Sequence, residues 1–266
     1  MIDNFTFKEK YNIDDLINII ELLRMPGGCP WDAEQTHQSI KKNLIEETYE
    51  VIEAINKESA PMLREELGDV LMQVIMHSQM EKEAGNFSFS DVVDEVAQKL
   101  IIRHPHVFGE VKVDGVDNVL DNWENIKMQT KQIQNTSSAM DSVPKELPAL
   151  MRAQKVQKKA AGVGFDFSDI SQALEKLESE IAEFKKALEC VDESQIFEEL
   201  GDILFSAVNV ARFADIDSED ALTYASDKFI RRYKGVEALA LKRKIDIKSS
   251  SIETLDSLWE EVKKES

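Results

Sequence analysis

Two segments of the chain, EELGDVL at 65–71 and EELGDIL at 198–204, differ by one conservative exchange. Each sets a Glu and an Asp three residues apart, Glu66 with Asp69 and Glu199 with Asp202. On a helix that spacing places both carboxylates on one face. Upstream of each segment lies a second pair at the same spacing, Glu47 with Glu50 and Glu180 with Glu183. Folded as antiparallel hairpins that turn near residues 58 and 191, the two runs bring Glu47 level with Asp69 and Glu50 level with Glu66. The second copy pairs Glu180 with Asp202 and Glu183 with Glu199 in the same way. Four carboxylates at one level repel unless cations lie among them. Rigidly held oxygen ligands suit Mg²⁺ or Mn²⁺, which keep coordination positions free for a substrate. One acidic pair in so acidic a chain reads as a solvated helix face. Two pairs matched in height, and matched again in a second copy, read as a metal site. Gly68 and Gly201 sit inside the repeated segments, and each costs about 1 kcal/mol in a helix. Their presence predicts a close approach of backbone, metal or a neighbouring helix.

The elements that must position these groups are helices. Leu44, Val51, Ile52 and Ile55 recur at helical spacing, as do Leu63, Leu67, Val70, Leu71, Val74 and Ile75. Between the two runs, KESAP offers Ser59 as an N-cap and Pro61 in the first helical turn. No run has a convincing strand pattern; VFGEVKVDG (107–115) is the one candidate for a short extended piece. A shift of 133 residues lays NLIEETYEVIEAI (43–55) on KLESEIAEFKKAL (176–188), and LREELGDVLMQVI (63–75) on IFEELGDILFSAV (196–208). With slightly different offsets, KLIIR (99–103) recurs as KFIRR (228–232), and NWENIK (122–127) as LWEEVK (258–263). Four segments recur in one order, the mark of an internal duplication. The predicted fold is all-α, with two tandem related helical domains at 1–130 and 149–266. Residues 131–148, polar and carrying two prolines, read as a linker.

The duplicated basic and aromatic residues extend the chemistry. Lys99 with Arg103, and Lys228 with Arg232, place two cations on one helix face, suited to phosphate oxygens. Trp123 with Lys127, and Trp259 with Lys263, offer a plane for a base and a cation one turn away for a phosphate. The histidines are peripheral: His104 and His106 have no counterparts in the second copy, and His77 aligns with Val210, which indicates packing or a surface role. Neither heptapeptide motif supplies a His at the Glu-x-x-His spacing of di-iron bundles.

Composition sets outer limits. A net charge of −19 argues against a nucleic-acid backbone as partner. It leaves room for a small phosphorylated ligand if a metal reverses the local sign. No apolar run is long enough to span a membrane. The N-terminus lacks the pattern of a secretory signal, and two cysteines, Cys29 and Cys190, make no disulfide framework. A cytoplasmic protein without membrane partners is expected. A non-catalytic acidic scaffold binding divalent ions or a partner protein explains the charge and helices, but not the repeated Lys-x-x-x-Arg and Trp-x-x-x-Lys.

Glu46-Glu47-x-x-Glu50 followed by Glu66-x-x-Asp69 resembles the signature of the MazG nucleoside triphosphate pyrophosphohydrolases. GGCPWDAEQTHQSI (27–40), RHPHVFG (103–109), LPALMRAQKVQKKAAGVGFDF (147–167) and LWEEVK extend the resemblance over nearly the whole chain, in the family's two-domain form. It implies hairpins that complete four-helix bundles by homodimerisation. It also implies Mg²⁺-dependent hydrolysis of NTPs and dNTPs, ATP included, to monophosphate and pyrophosphate. By resemblance the metal residues are Glu46, Glu47, Glu50, Glu66 and Asp69 in the first copy, and Glu180, Glu183, Glu199 and Asp202 in the second. Lys228, Arg232, Trp259 and Lys263 serve the nucleotide, with Lys99, Arg103, Trp123 and Lys127 as their first-copy equivalents. Glu47 or Glu180 takes the proton of the attacking water, and Lys228 and Arg232 stabilise the leaving group. The second copy departs from the pattern, because Ser179 stands where the first has Glu46.

Overall fold

The computed structural model describes residues 5–116, 118, 119, 122, 123, 126, 130 and 136–265. Its described residues are helical or irregular and contain no strand, so the stretch 107–115 is not an extended element. The chain divides into two compact units, Met1–Lys127 and Met128–Ser266.

In the first unit, α1 (Ile13–Arg24), α2 (Pro30–Ala33), α3 (His37–Asn56), α4 (Ala60–Glu83), α5 (Phe89–Arg103) and α6 (Pro105–Phe108) follow in order. The helix starts are local chemistry. Thr36 closes a capping box at α3, and Ser59 is the N-cap of α4 with Pro61 in its first turn. α3 and α4 form the central hairpin, and α1 and α5 pack against α4. Ile20, Ile40, Ile75, Met76 and Met80 are buried together, which fixes the α3–α4 hairpin against α1.

The second unit holds α7 (Thr136–Asp141), α8 (Ala149–Ala161), α9 (Ile170–Cys190), α10 (Glu193–Phe213), α11 (Ser218–Arg243) and α12 (Ile252–Glu265). α9 and α10 repeat the hairpin, and α8 packs across α10 and α11. α7 lies within the stretch read as a linker, where Ala139 and Val143 are buried. α11 and α12 close on each other because Gly235 lacks a Cβ; one built there would come within 2.7 Å of Val262. Gly68 and Gly201 are different. A Cβ at either meets nothing within 4 Å, so among the described residues no backbone or neighbouring helix makes the predicted close approach. Both lie on an exposed helix face, beside the half-exposed Leu67 and Leu200.

The two hairpins share a backbone irregularity at equivalent positions. Glu58 (φ 51°) and Val191 (φ 55°) both adopt the left-handed conformation at the turn. For a β-branched residue this is costly, and Val191 is 79% exposed, so its side chain contributes little packing. Val191→Gly is therefore expected to stabilise the protein by about 1 kcal/mol, read as a higher denaturation midpoint at unchanged slope.

No helix among the described residues is long and apolar enough to cross a membrane.

Candidate active site

The hairpins do bring the carboxylates together. In the first unit Glu47 on α3 and Glu66 and Asp69 on α4 can each present an oxygen within 4.8 Å of the others. Glu50 lies close enough to Glu66 to help raise its pKa. Glu46, exposed on α3, lies near enough to Glu47 for its charge to raise the Glu47 pKa. In the second unit the matching group is Glu180, Glu199 and Asp202. Glu183 lies near Glu199, and accepts a 2.9 Å hydrogen bond from Ser179, the residue standing where the first copy has Glu46. Three carboxylates per unit thus converge, with the fourth at the rim.

The electrostatics are those of carboxylates crowded together. Glu47 is held above the usual carboxylate range, first by desolvation and then by Asp69, Glu50, Glu66 and Glu46. Glu66 and Glu199 are raised for the same reasons, burial first and neighbouring carboxylates next. Such oxygens, from two helices and on one side of a hairpin, fit a hard divalent cation, whose charge removes the repulsion.

The second cluster contains a residue that pattern reading missed. Lys176 bonds the buried Glu180 at 2.5 Å. That bond, reinforced by Glu180, Glu183 and Asp202, raises the ammonium pKa. The signal was present in the sequence, since Lys176 precedes Glu180 by one helical turn; the first copy has Asn43 there. Glu180 and Asp202 also line a cavity of about 650 Å³ that continues past Lys176 toward Phe165, Phe167, Asn209 and Arg212.

The basic and aromatic residues sit elsewhere. None of Lys228, Arg232, Trp259 and Lys263 lines that cavity. Lys228 lies over the ring of Tyr224, and Lys263 bonds Glu260. Trp259 packs against the buried Val236, Ala240 and Leu258, with Phe229 at 5.1 Å. In the first unit the Arg103 guanidinium covers the Trp123 ring at 5.2 Å and His104 meets its edge, while Lys99 is exposed. Lys127 lies outside the described residues.

His77, on the same helix as Glu66 and Asp69, has a structural partnership. Its Nδ1 is 2.7 Å from that of His37, the two rings are stacked, and His37 Nε2 bonds Glu81. Burial, then the His37 charge, lowers the His77 pKa below 6.5. The stability this neutral ring contributes is complete above its unfolded pKa and is lost as pH falls through the window below it. Between about pH 7.5 and about pH 5.5, the melting temperature of the wild type is expected to fall relative to that of His77→Gln.

Comparison with known proteins follows the duplication. The model of the MazG nucleotide pyrophosphohydrolase domain matches twice, over residues 35–108 and 168–237. The chain is 42% identical over 256 residues to the nucleoside triphosphate pyrophosphohydrolase of Escherichia coli (strain K12), spanning 95% of this chain and 97% of that protein. It is 44% identical over 250 residues to the nucleoside triphosphate pyrophosphohydrolase/pyrophosphatase MazG of Thermotoga maritima, spanning 94% and 95% respectively. It is also 48% identical to the Bacillus subtilis protein YabN, over 92% of this chain and 50% of that one.

Proposed function

The chain belongs to the MazG nucleotide pyrophosphohydrolase family, and we propose from that premise how its residues act. It hydrolyses nucleoside triphosphates, NTPs and dNTPs alike, to monophosphate and pyrophosphate. The observation that carries this reading is the paired convergence of carboxylates, Glu47 with Glu66 and Asp69, and Glu180 with Glu199 and Asp202.

These residues, with Glu50 and Glu183 at the rim and Glu46 beside the first set, would hold Mg²⁺ or Mn²⁺. Such a cation offsets phosphate charge and makes water a better nucleophile at neutral pH. Glu47 receives the water's proton in the first unit, where its raised pKa brings it nearer the operating pH. Glu180, buried and fixed by Lys176, has that role in the second. Lys228 and Arg232, and Lys99 and Arg103 in the first unit, supply positive charge for phosphate oxygens and the leaving pyrophosphate.

Because Lys228 and Arg232 do not line the cavity at Glu180, a second copy of the chain is expected to bring them there. The exposed Leu67 and Leu200, beside the open space at Gly68 and Gly201, support a homodimer built on the hairpin faces. Light scattering is expected to give twice the mass of 30.2 kDa. The pair of substitutions Leu67→Glu and Leu200→Glu is expected to give the monomer mass. Two free cysteines and strong acidity fit a cytoplasmic enzyme that does not bind nucleic acid.

Pyrophosphate release from a panel of NTPs and dNTPs, with Mg²⁺ and with chelator, tests the function. Release that requires the metal supports it. Stabilisation by metal without release from any nucleotide would instead indicate a binding scaffold.

A further inference from the structure

We propose that His37 and His77 form a second, chemically different metal site in the first unit, for a first-row cation of the Zn²⁺ type, with Glu81 orienting the His37 ring. The two imidazoles come from different helices, His37 from the start of α3 and His77 from the later half of α4. Their Nδ1 atoms face each other at 2.7 Å, and the ring planes lie within 2° of each other. Nitrogens that close share one proton, with one ring donating and the other accepting.

The outer partners decide which ring accepts. His37 Nε2 lies 2.7 Å from Glu81 Oε1, and Asn86 donates from Nδ2 to Glu81 Oε2 at 2.6 Å. The bond from Asn86, and after it the bond from His37, holds Glu81 below the usual carboxylate range. An ionised carboxylate only accepts, so His37 Nε2 carries the hydrogen and donates it. In the neutral ring, His37 Nδ1 is then a bare lone pair directed at His77. A carboxylate on the far nitrogen, with the near nitrogen left free, is how proteins orient a ligating imidazole. His77, held neutral first by burial, meets the other requirement of a ligand.

The cation takes the place of the shared proton, which is released to solvent. At Zn–N distances of about 2.0 to 2.1 Å in tetrahedral geometry, the two nitrogens stand about 3.3 Å apart. The pair therefore opens by about half an ångström, which the His37 side chain, 43% exposed, can accommodate. His37, His77 and Glu81 line a cavity of about 500 Å³, which leaves room for water in the remaining coordination positions. Imidazoles suit Zn²⁺, Cu²⁺ or Ni²⁺, whereas the carboxylates around Glu47 suit Mg²⁺, so the two sites sort different metals. By the 133-residue offset the second unit has Ile170, Val210 and Ala214 in place of His37, His77 and Glu81. All three polar groups are replaced by apolar ones, so the site belongs to the first unit alone. It stands whether or not the carboxylates act on nucleotides.

Cu²⁺ is the spectroscopic stand-in for Zn²⁺, because it takes the same nitrogen ligands. One equivalent of Cu²⁺ on the full-length protein in excess Mg²⁺ is expected to show nitrogen superhyperfine splitting in its EPR spectrum. Carboxylate oxygens give no such splitting. His37→Gln and His77→Gln should each remove nitrogen couplings and weaken Zn²⁺ binding, read by titration calorimetry. Glu81→Gln keeps both imidazoles and removes only the carboxylate that orients them. It should retain the splitting and weaken Zn²⁺ binding by about tenfold. Circular dichroism checks that each variant is folded, and the exposure of His37 makes its replacement the least disruptive. A wild type that binds no Zn²⁺ overturns the proposal and leaves the pair as a hydrogen bond alone. A folded His37→Gln that keeps the wild-type splitting and Zn²⁺ affinity also overturns it, by placing the metal elsewhere.

Discussion

Glu180→Gln is expected to lower kcat/KM for pyrophosphate release at the second site by about 100-fold or more. Glu180 is buried, converges with Glu199 and Asp202, and is held by Lys176. Glutamine keeps its volume and removes both its charge and its capacity to take a proton. Glu47→Gln makes the same change in the first unit, where no lysine stands at the equivalent of Lys176. The two variants should differ in stability when no metal is added. Glu47 is destabilised by burial and by four neighbouring carboxylates, so neutralising it should raise the melting temperature. Glu180→Gln forfeits an ion pair with Lys176 and should show no such gain. The activity result also assigns the sites: loss through Glu180→Gln alone makes the second unit the enzyme, loss through Glu47→Gln alone makes it the first, and additive losses mean two working sites. If neither variant loses activity, the carboxylate reading is wrong.

A divalent cation is expected to stabilise the protein strongly. At a Mg²⁺ concentration of about 100 times Kd, binding to the folded state alone contributes about 2.7 kcal/mol. In a protein of this size that is a rise in melting temperature of about 5 to 10 °C. A cation relieves what holds Glu47, Glu66 and Glu199 above the usual carboxylate range, desolvation first and the neighbouring carboxylates next. Chelator should reverse the shift, and the double variant Glu47→Gln/Glu180→Gln should abolish most of it. A shift of equal size in the double variant would place the bound metal elsewhere.

The level pairing expected for the hairpins is close to what the fold delivers. Glu47 does meet Asp69, and Glu50 does meet Glu66, because a helical hairpin with a known turn has a register that arithmetic on residue numbers recovers. At Gly68 and Gly201 no described residue of the chain takes up the room, because a glycine in a helix announces space without saying what fills it. Trp259 illustrates the same limit. Spacing put it beside Lys263 on one face, but burial against Val236 and Leu258 depends on how α11 packs on α12, which Gly235 permits. Lys176 was legible in principle, being one turn from Glu180, yet a Lys before a Glu on a helix is ordinarily a surface pair. Its importance comes from the burial of Glu180.

By itself, then, the amino-acid order determined the helices, the duplication and the two sets of carboxylates. All three depend on spacing along one chain segment or on identity between two. Only the tertiary structure decided which polar groups face one another across segments distant in sequence. Gln157 reaches the carbonyl of Phe205, and Asp166 reaches Arg212, because α8 and the loop after it pack on α10, and no local period encodes that packing. Helix propensity and register are set by neighbours a turn apart, whereas a cavity is set by the packing of faces whose partners lie tens of residues away.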